Sequence, residues 1–219
     1  MSAATAGPAG ATAGGVPAVA IRGLRVAYGS AVVLDDLELT VPAGTALCVT
    51  GANGAGKSTL LRCATGLQAA DAGTIRVFGR PPGRSAAFWR DVATTVENPG
   101  WYSGLTVREH AELIRLAHGA DPADGALDKL FDLLGLVPLA DAAPLTLSSG
   151  QRQRFLLAAV LARPSRLLVL DEPEQRLDTD IKPVVAELLR TYVAGGGALL
   201  MASHDPEFAA EVGGERLTL

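Results

Sequence analysis

The chain has 219 residues, a formal net charge of -4 and no prominent run of Lys or Arg. This length is enough for one α/β domain with a buried core, and the charge argues against broad electrostatic binding of nucleic acid. No apolar run approaches the roughly 20 residues that span a bilayer, and the N-terminus lacks the basic start and apolar stretch of a signal peptide. We therefore expect any membrane contact to be made through a partner.

Residues 1–17 are rich in Ala, Gly, Thr and Pro. We predict a flexible tail here, because this composition buries little apolar surface. A β-rich region is predicted over 18–44, with one strand-like stretch at 19–26 and a second at 32–34 together with 37–41. Tyr28 lies in the turn between the first two strands. A tyrosine on a turn can stack on a planar base, although this residue taken alone is more typical of an ordinary core or surface tyrosine.

The most informative stretch is Gly51–Thr59, which fits the pattern G-x-x-x-x-G-K-[ST] of a phosphate-binding P-loop. Its glycines let the backbone curl so that successive N–H groups point at one anion. Lys57 can reach the β- and γ-phosphates, and the Ser58 hydroxyl suits Mg²⁺, which prefers oxygen ligands. A strand is predicted over 45–50 and a helix over 58–67, so phosphate would lie at a helix N-terminus.

A glycine-rich turn that matches this pattern by chance is the alternative. At the average glycine frequency, a chain of this length matches on the order of once in a hundred. The flanking strand and helix lower that frequency, and the sequence therefore favours nucleotide binding. Cys48 and Cys63 flank the loop, and we interpret them as small buried thiols of a reducing compartment.

The middle of the chain changes from strand-like to helical. The predicted strands lie at 74–79 and at the end of 89–96, and the predicted helices cover 106–118, about 123–134 and a segment after Ser148. Thr106 and Glu109 have the spacing of a capping box, which opens a helix. We interpret residues from about 83 to 162 as a helical insert between two strand-rich halves.

Residues 167–170 are continuously apolar and are followed by Asp171 and Glu172. Such a run suits a strand that is buried on both faces of a parallel sheet, and ligands bind at the carboxyl end of such strands. There Asp171 can hold Mg²⁺ through water, and Glu172 can polarise an attacking water. A strand followed by two solvated acids is the alternative, and the P-loop in the same chain makes it less favoured.

A second buried strand is predicted over 198–203, after a helix over 181–193, and it leads into His204. A histidine at the end of such a strand can donate a hydrogen bond to a γ-phosphate, whereas a polar loop residue is the simpler interpretation of His204 alone. The last predicted elements are a helix that begins within 203–210 and a short strand over 215–219.

The order of these motifs resembles the nucleotide-binding domain of ABC ATPases over about residues 18–219. The motifs are the P-loop, the helical insert, Leu147–Gln151, Leu170–Pro173 and Ser203–Asp205. Leu147–Gln151 is similar to the family signature, whose usual form is Leu-Ser-Gly-Gly-Gln. Ser148 and Gln151 also have capping-box spacing. The segment can be both a family signature and a capping box, because ABC ATPases direct a helix N-terminus at phosphate.

The resemblance implies an α/β fold: a P-loop NTPase core with an antiparallel β subdomain and an inserted helical subdomain. It also implies two copies packed head to tail, with each ATP between the P-loop of one copy and the signature of the other. By position, Glu172 would be the general base, His204 the switch histidine, Asp171 the magnesium-binding acid and Asp178 part of the contact between copies. The nucleotide ligands would be Tyr28, Gly51, Asn53, Gly54, Gly56, Lys57, Ser58, Thr59, Ser148, Gly150 and Gln151, with Ser58 also on Mg²⁺.

Three positions depart from the family pattern. Glu97 stands where glutamine is usual; it can serve catalysis and offer oxygen to Mg²⁺, but it adds a negative charge beside the triphosphate. Ser149 replaces the first signature glycine and keeps its backbone N–H. Glu174-Gln175-Arg176 stands where Thr-x-Gly or Ser-x-Gly is common, which places Arg176 beside the contact between copies.

The resemblance implies an ATP-hydrolysing subunit that uses Mg²⁺ and powers a separate membrane-spanning permease. The residues around Glu97 are similar to those of exporter-type subunits. The second ATPase copy would be the same chain or a different ATPase. The resemblance also implies a location at the cytoplasmic face of the membrane. No nucleic-acid partner is expected. The alternative is a soluble ABC ATPase without transport, for example in cluster assembly. An inactive binding module is disfavoured because Lys57, Glu172 and His204 are all present.

Overall fold

The computed structural model describes residues 15–83, 85–95, 100–121 and 123–219. Residues 1–14 of the tail predicted over 1–17 lie outside the described residues. The described strands are β1 (Val19–Tyr28), β2 (Ala31–Val41), β3 (Ala46–Thr50), β4 (Ala72–Val77), β5 (Val92–Thr94), β6 (Leu167–Asp171), β7 (Ala198–Ala202) and β8 (Glu215–Thr218). The described α-helices are α1 (Lys57–Thr65), α2 (Ala86–Asp91), α3 (Val107–Ala117), α4 (Ala126–Leu133), α5 (Ser149–Leu161), α6 (Ile181–Ala194) and α7 (Pro206–Val212), and short 3₁₀ helices cover Val137–Leu139 and Pro144–Thr146.

Strands β2, β1 and β4 form an antiparallel sheet in that order. The residues predicted to be strand-like at 32–34 and 37–41 all lie in β2. The apolar alternation skips a residue between Leu34 and Leu37, while their partners Val26 and Leu24 in β1 are only two residues apart. Such a register shift is a β-bulge, and it keeps both leucines on the buried face.

The second sheet is parallel, with strand order β5-β6-β7-β3-β8. β3 therefore lies between β7 and β8, and β7 lies between β3 and β6. All carboxyl ends are at one edge, so the segments that follow β3, β6 and β7 start side by side. β5 falls inside the predicted helical insert of 83–162, but it pairs with β6 in this sheet.

Both faces of the parallel sheet are covered, which explains the continuous apolar runs. Leu168, Leu170, Leu199 and Met201 belong to one cluster with residues of α5 and α6. The alternate residues of the same strands belong to a second cluster with α1 and the antiparallel sheet. Cys48 and Cys63 are free and buried, as predicted, and burial raises the pKa of each thiol to about 11.

The helical part is built on two capping boxes that the sequence analysis identified. Thr106 and Glu109 cap α3 reciprocally, and Ser148 and Gln151 do the same for α5. α3 and α4 both pack on α5, and Trp101 stacks on the buried ring of Phe155 at 4.9 Å. Among the described helices, none combines the length and apolar character that crossing a bilayer requires.

A carboxylate sets the first residue of two of the described helices. The predicted helix at 123–134 starts at Ala126, because Asp124 accepts a hydrogen bond from the Ala126 N–H at 2.8 Å and pairs with Arg115. The helix predicted to begin within 203–210 starts at Pro206. There the Asp205 side chain caps the N–H groups of Glu207 and Phe208.

Candidate active site

The loop between β3 and α1 closes around its own lysine. The Lys57 Nζ donates to the carbonyl oxygens of Gly51 at 2.8 Å and Ala52 at 3.0 Å, and the residue is 5% exposed. Gly51, Gly54 and Gly56 have φ angles of 146°, 82° and 100°. Residues with a Cβ rarely adopt such angles. The turn itself therefore requires glycine at these positions.

The loop forms one wall of a cleft of about 450 Å³. The cleft brings together residues from four separate stretches of the chain, and most of them are site residues predicted from sequence. They are Tyr28, Val33, Asn53, Gly54, Gly56, Lys57, Ser58, Thr59 and Glu172. Val33 is the member that the sequence analysis did not identify.

Tyr28 lies at the end of β1 and is 53% exposed. Its hydroxyl donates to Gln68 Oε1 at 2.8 Å. The neighbouring turn is fixed by Asp71, which accepts a hydrogen bond from the Ala27 N–H at 2.7 Å. The ring is therefore tethered at its polar end while half of the residue is open at the rim of the cleft. This is the geometry that stacking on a planar group requires.

Asp171 ends β6 close to the start of α1. Burial raises the pKa of its carboxyl group, a hydrogen bond with the Ser58 side chain opposes that shift, and the charge of Glu172 adds to it. Its Oδ1 is buried without a hydrogen-bond partner among the described residues. A buried carboxylate oxygen beside a serine hydroxyl is a donor set that fits Mg²⁺.

These two side chains cannot complete a metal site by themselves. In the described part of the chain, no group of three or more His, Cys, Asp or Glu residues is placed to hold a metal ion. Mg²⁺ commonly uses one or two protein side chains and takes its other ligands from phosphates and water. The arrangement therefore fits a magnesium ion that arrives with a nucleotide.

Glu172 follows Asp171 in a constrained backbone conformation. Its φ is 46°, in a region that costs a residue with a side chain roughly 1–3 kcal/mol, and its N–H donates to the Ala202 carbonyl at 2.9 Å. Its Oε2 accepts from Gln175 Nε2 at 2.7 Å. Its Oε1 lies 3.4 Å from the Nδ1 of His204, a residue whose side chain is 50% exposed. Adjacent strand ends thus bring a carboxylate and an imidazole together.

Glu174 is a residue of this cluster to which the sequence analysis gave no role. Its side chain is 1% exposed, and its Oε1 lies 3.7 Å from His204 Nδ1. Ser203 Oγ donates to the same oxygen. Burial is the main cause that raises the pKa of the Glu174 carboxyl group. A glutamate in a turn is normally solvated, so its residue type did not indicate burial. The one signal of a special role in the sequence was that Glu174 departs from the family pattern.

The signature residues Ser148, Gly150 and Gln151 do not line the cleft. They begin α5, and that end of α5 lies against the loop that follows Glu172. A Cβ on Gly150 would lie 2.7 Å from the Arg176 carbonyl oxygen, and Gln153 Nε2 donates to the Pro173 carbonyl at 3.2 Å. Glu97 lies outside the described residues.

Residues 34–175 match the family described as ABC transporter. The sulfate/thiosulfate import ATP-binding protein CysA of Bordetella pertussis is 35% identical over 89% of the chain, which spans 57% of that relative's length. The cytochrome c biogenesis ATP-binding export protein CcmA of Cereibacter sphaeroides is 36% identical over 84% of the chain and 81% of its own length.

A third relative, the nickel import ATP-binding protein NikO of Rhodobacter capsulatus, is 34% identical over 90% of the chain and 83% of its own length. A solved structure of an ATP-binding subunit of an ABC transporter has a TM-score of 0.73 at 26% identity, covering 85% of this chain and 79% of that one. A dimeric bacterial ABC transporter cassette has a TM-score of 0.79 at 21% identity, covering 91% and 94%. The predicted α/β P-loop architecture is therefore confirmed.

The glycines of the loop give a matched pair of variants. Gly54→Ala should cost about 1 kcal/mol of the free energy of unfolding, because only the positive φ opposes a side chain there. Gly56→Ala should cost a further 1–3 kcal/mol or so, because its Cβ would lie 2.8 Å from Leu34 Cδ2 and 3.0 Å from Val33 Cγ1. Urea unfolding of both full-length variants measures the difference. Equal losses would show that Val33 and Leu34 do not hold the loop.

Proposed function

The chain belongs to the ABC transporter family, and we propose that residues 18–219 bind ATP in the described cleft, hydrolyse it and power a separate membrane permease. ATP-binding domains of this family hydrolyse ATP to power transport. The observation that carries the proposal is the cleft, in which the phosphate-binding loop and Glu172 line one space. His204 lies beside the same glutamate.

ATP would be held by its triphosphate and its base. The start of α1 has no side-chain cap, so the N–H groups of its first turn are available to an anion. Lys57 bonds two neutral carbonyls, and phosphate oxygens would replace them with stronger, charge-assisted bonds. Gly51, Asn53, Gly54, Gly56 and Thr59 complete the phosphate loop. Tyr28 stacks on the base.

Ser58 and Asp171 would hold Mg²⁺, with Glu97 as a further oxygen donor. When bound, the ion neutralises charge that develops on the phosphates. Glu172 accepts a proton from the attacking water as general base, and His204 contacts the γ-phosphate. Gln175 keeps one oxygen of Glu172 occupied, so the other oxygen, near His204, is the one that can take the proton.

The site would be completed by a second ABC ATPase copy, identical or different. Ser148, Gly150 and Gln151 do not reach the cleft of their own chain, although they sit at a capped helix start of the kind that binds anions. Head-to-tail pairing would bring this helix start to the partner's ATP. Closure on ATP and opening after hydrolysis would then move the permease.

The direction of transport that we propose is export, at the cytoplasmic face of the membrane. The support for export is the sequence pattern around Glu97, which is similar to exporter-type subunits. The relatives include an export protein and several import proteins by name, so relatedness alone does not select a direction. A non-transport ATPase remains the second candidate, since its nucleotide chemistry would use the same cleft.

Glu172→Gln tests the hydrolytic mechanism. The amide cannot accept the proton of water, so turnover should fall by about 10²–10⁴-fold. ATP should then hold the chain as a stable dimer, which light scattering detects. Glu215→Gln, an exposed glutamate in β8, serves as the control and should keep full activity. A Glu172→Gln chain that hydrolyses ATP at the normal rate would remove Glu172 from the role of base.

Affinity purification from native membranes in mild detergent tests the transport role. We expect a multi-span membrane protein in stoichiometric amount, identified by mass spectrometry. Inside-out vesicles that contain the complex should then accumulate cargo with ATP outside if the direction is export. Recovery of the chain with soluble partners alone would favour the non-transport ATPase, and cargo loss from these vesicles would indicate import.

A further inference from the structure

Glu174 is a buried ionisable group that this proposed chemistry leaves unused. It lies two residues after Glu172, on the turn that follows β6. Its side chain is 1% exposed, and its Oε2 has no hydrogen-bond partner among the described residues. Burying a carboxyl group with incomplete partners is unfavourable. A role in the neighbouring cluster would explain why it is there.

Glu174 and Glu172 both approach the same ring nitrogen of His204. The Nδ1 of the ring lies 3.4 Å from Glu172 Oε1 and 3.7 Å from Glu174 Oε1. Both distances are longer than an ordinary N–H···O hydrogen bond, but two acidic side chains beside Nδ1 favour the form of the ring that carries its proton there. The Nε2 on the other side of the ring can then donate to a phosphate only when the imidazole is doubly protonated.

A second connection runs through Ser203. Its hydroxyl accepts a hydrogen bond from the Asp205 N–H at 3.0 Å and lies 3.2 Å from the Asp205 carbonyl oxygen. It also contacts Glu174 Oε1. The hydroxyl has one proton, so an ionised Glu174 takes that proton's hydrogen bond, whereas a protonated Glu174 leaves Ser203 free to donate to Asp205. The state of Glu174 therefore changes how the loop around His204 is held.

The far side of this loop is fixed independently. Asp205 accepts from Lys182 Nζ at 2.8 Å and caps α7 through the N–H groups of Glu207 and Phe208. His204 thus lies between an anchored Asp205 and a Ser203 whose partner depends on Glu174. Because Asp205 is anchored, we expect a change in the hydrogen bond between Glu174 and Ser203 to shift the His204 ring.

We propose that Glu174 is a positioning residue that keeps the His204 proton on Nδ1 and fixes the ring for contact with the γ-phosphate. This inference rests on the proposed roles of His204 and Glu172. The other charged or titratable groups that act on or respond to Glu174 are Glu172, Cys48 of β3 and Lys182 of α6. When Glu174 is replaced by a neutral residue, Glu172 is the one glutamate left beside Nδ1. Such a variant therefore separates the effect of Glu174 from that of Glu172.

Nitrogen NMR of the full-length chain with ¹⁵N-labelled histidine tests the proposal without nucleotide. The chain has 3 histidines, and His204→Gln assigns the signal of interest. We expect the Nδ1–H form in the unmodified chain and a loss of its predominance in Glu174→Gln, which keeps the shape and removes the charge. Glu211→Gln, an exposed residue of α7, should leave the signal unchanged. Identical His204 signals in the unmodified chain and Glu174→Gln would overturn the proposal.

ATPase kinetics of the same variants give the second readout. In Glu174→Gln we expect kcat to fall about tenfold with little change in KM, and the pH profile of kcat to change shape, since positioning of a catalytic group acts on the transition state. Unchanged kcat and pH profile would contradict the proposal. If Glu174→Gln fails to fold, Ser203→Ala replaces it: this variant should reduce the Nδ1–H signal relative to the unmodified chain, and an unchanged signal would overturn the inference.

Different results would refute the proposed function and the role of Glu174. An unmodified chain that does not hydrolyse ATP would refute the proposed function, while the histidine signals would still decide whether Glu174 controls the ring. Normal hydrolysis together with an unaffected Glu174→Gln variant would refute the role of Glu174 alone.

Discussion

The candidate site depends on the parallel pairing of β3, β6 and β7. Since these strands point the same way, the P-loop, the Asp171–Glu172 pair and the Ser203–His204 pair all begin at one edge of the sheet. Residues more than 100 positions apart in sequence meet there without a long loop. Burial of the sheet on both faces fixes the three strand ends relative to one another, because alternate side chains belong to different cores.

Two of the four non-glycine residues with positive φ in the described part of the chain lie in the turn at the same edge. Glu172 and Arg176 have φ angles of 46° and 63°, which residues with side chains adopt at a cost. The turn is held by the Glu172 N–H, which bonds β7, and by the Pro173 carbonyl, which accepts from Gln153 of α5. The start of α5 also approaches the Arg176 carbonyl closely enough that residue 150 must lack a side chain. The start of α5 and the turn that follows Glu172 are therefore in direct contact.

Local chemistry explains which parts of the structure were predictable. The P-loop, both capping boxes and the buried strands β3, β6 and β7 are fixed by short-range patterns, and the structure confirms these elements. The bulge in β2 and the start of α4 at Ala126 depend on the register with β1 and on the Asp124 carboxylate, which neither the strand period nor the helix period encodes. Glu174 could not be recognised as buried from sequence, because its partners Ser203 and His204 come from another strand end.

The central claim is that one Mg²⁺-ATP is bound between the P-loop and the end of β6. A crystal structure of the Glu172→Gln chain with ATP and Mn²⁺ tests it most directly, because the anomalous signal of Mn²⁺ locates the metal independently. The account predicts the triphosphate on the N–H groups of 51–59 and the metal on the Ser58 hydroxyl, with Asp171 bound directly or through water. Nucleotide or metal bound away from these residues would contradict the account.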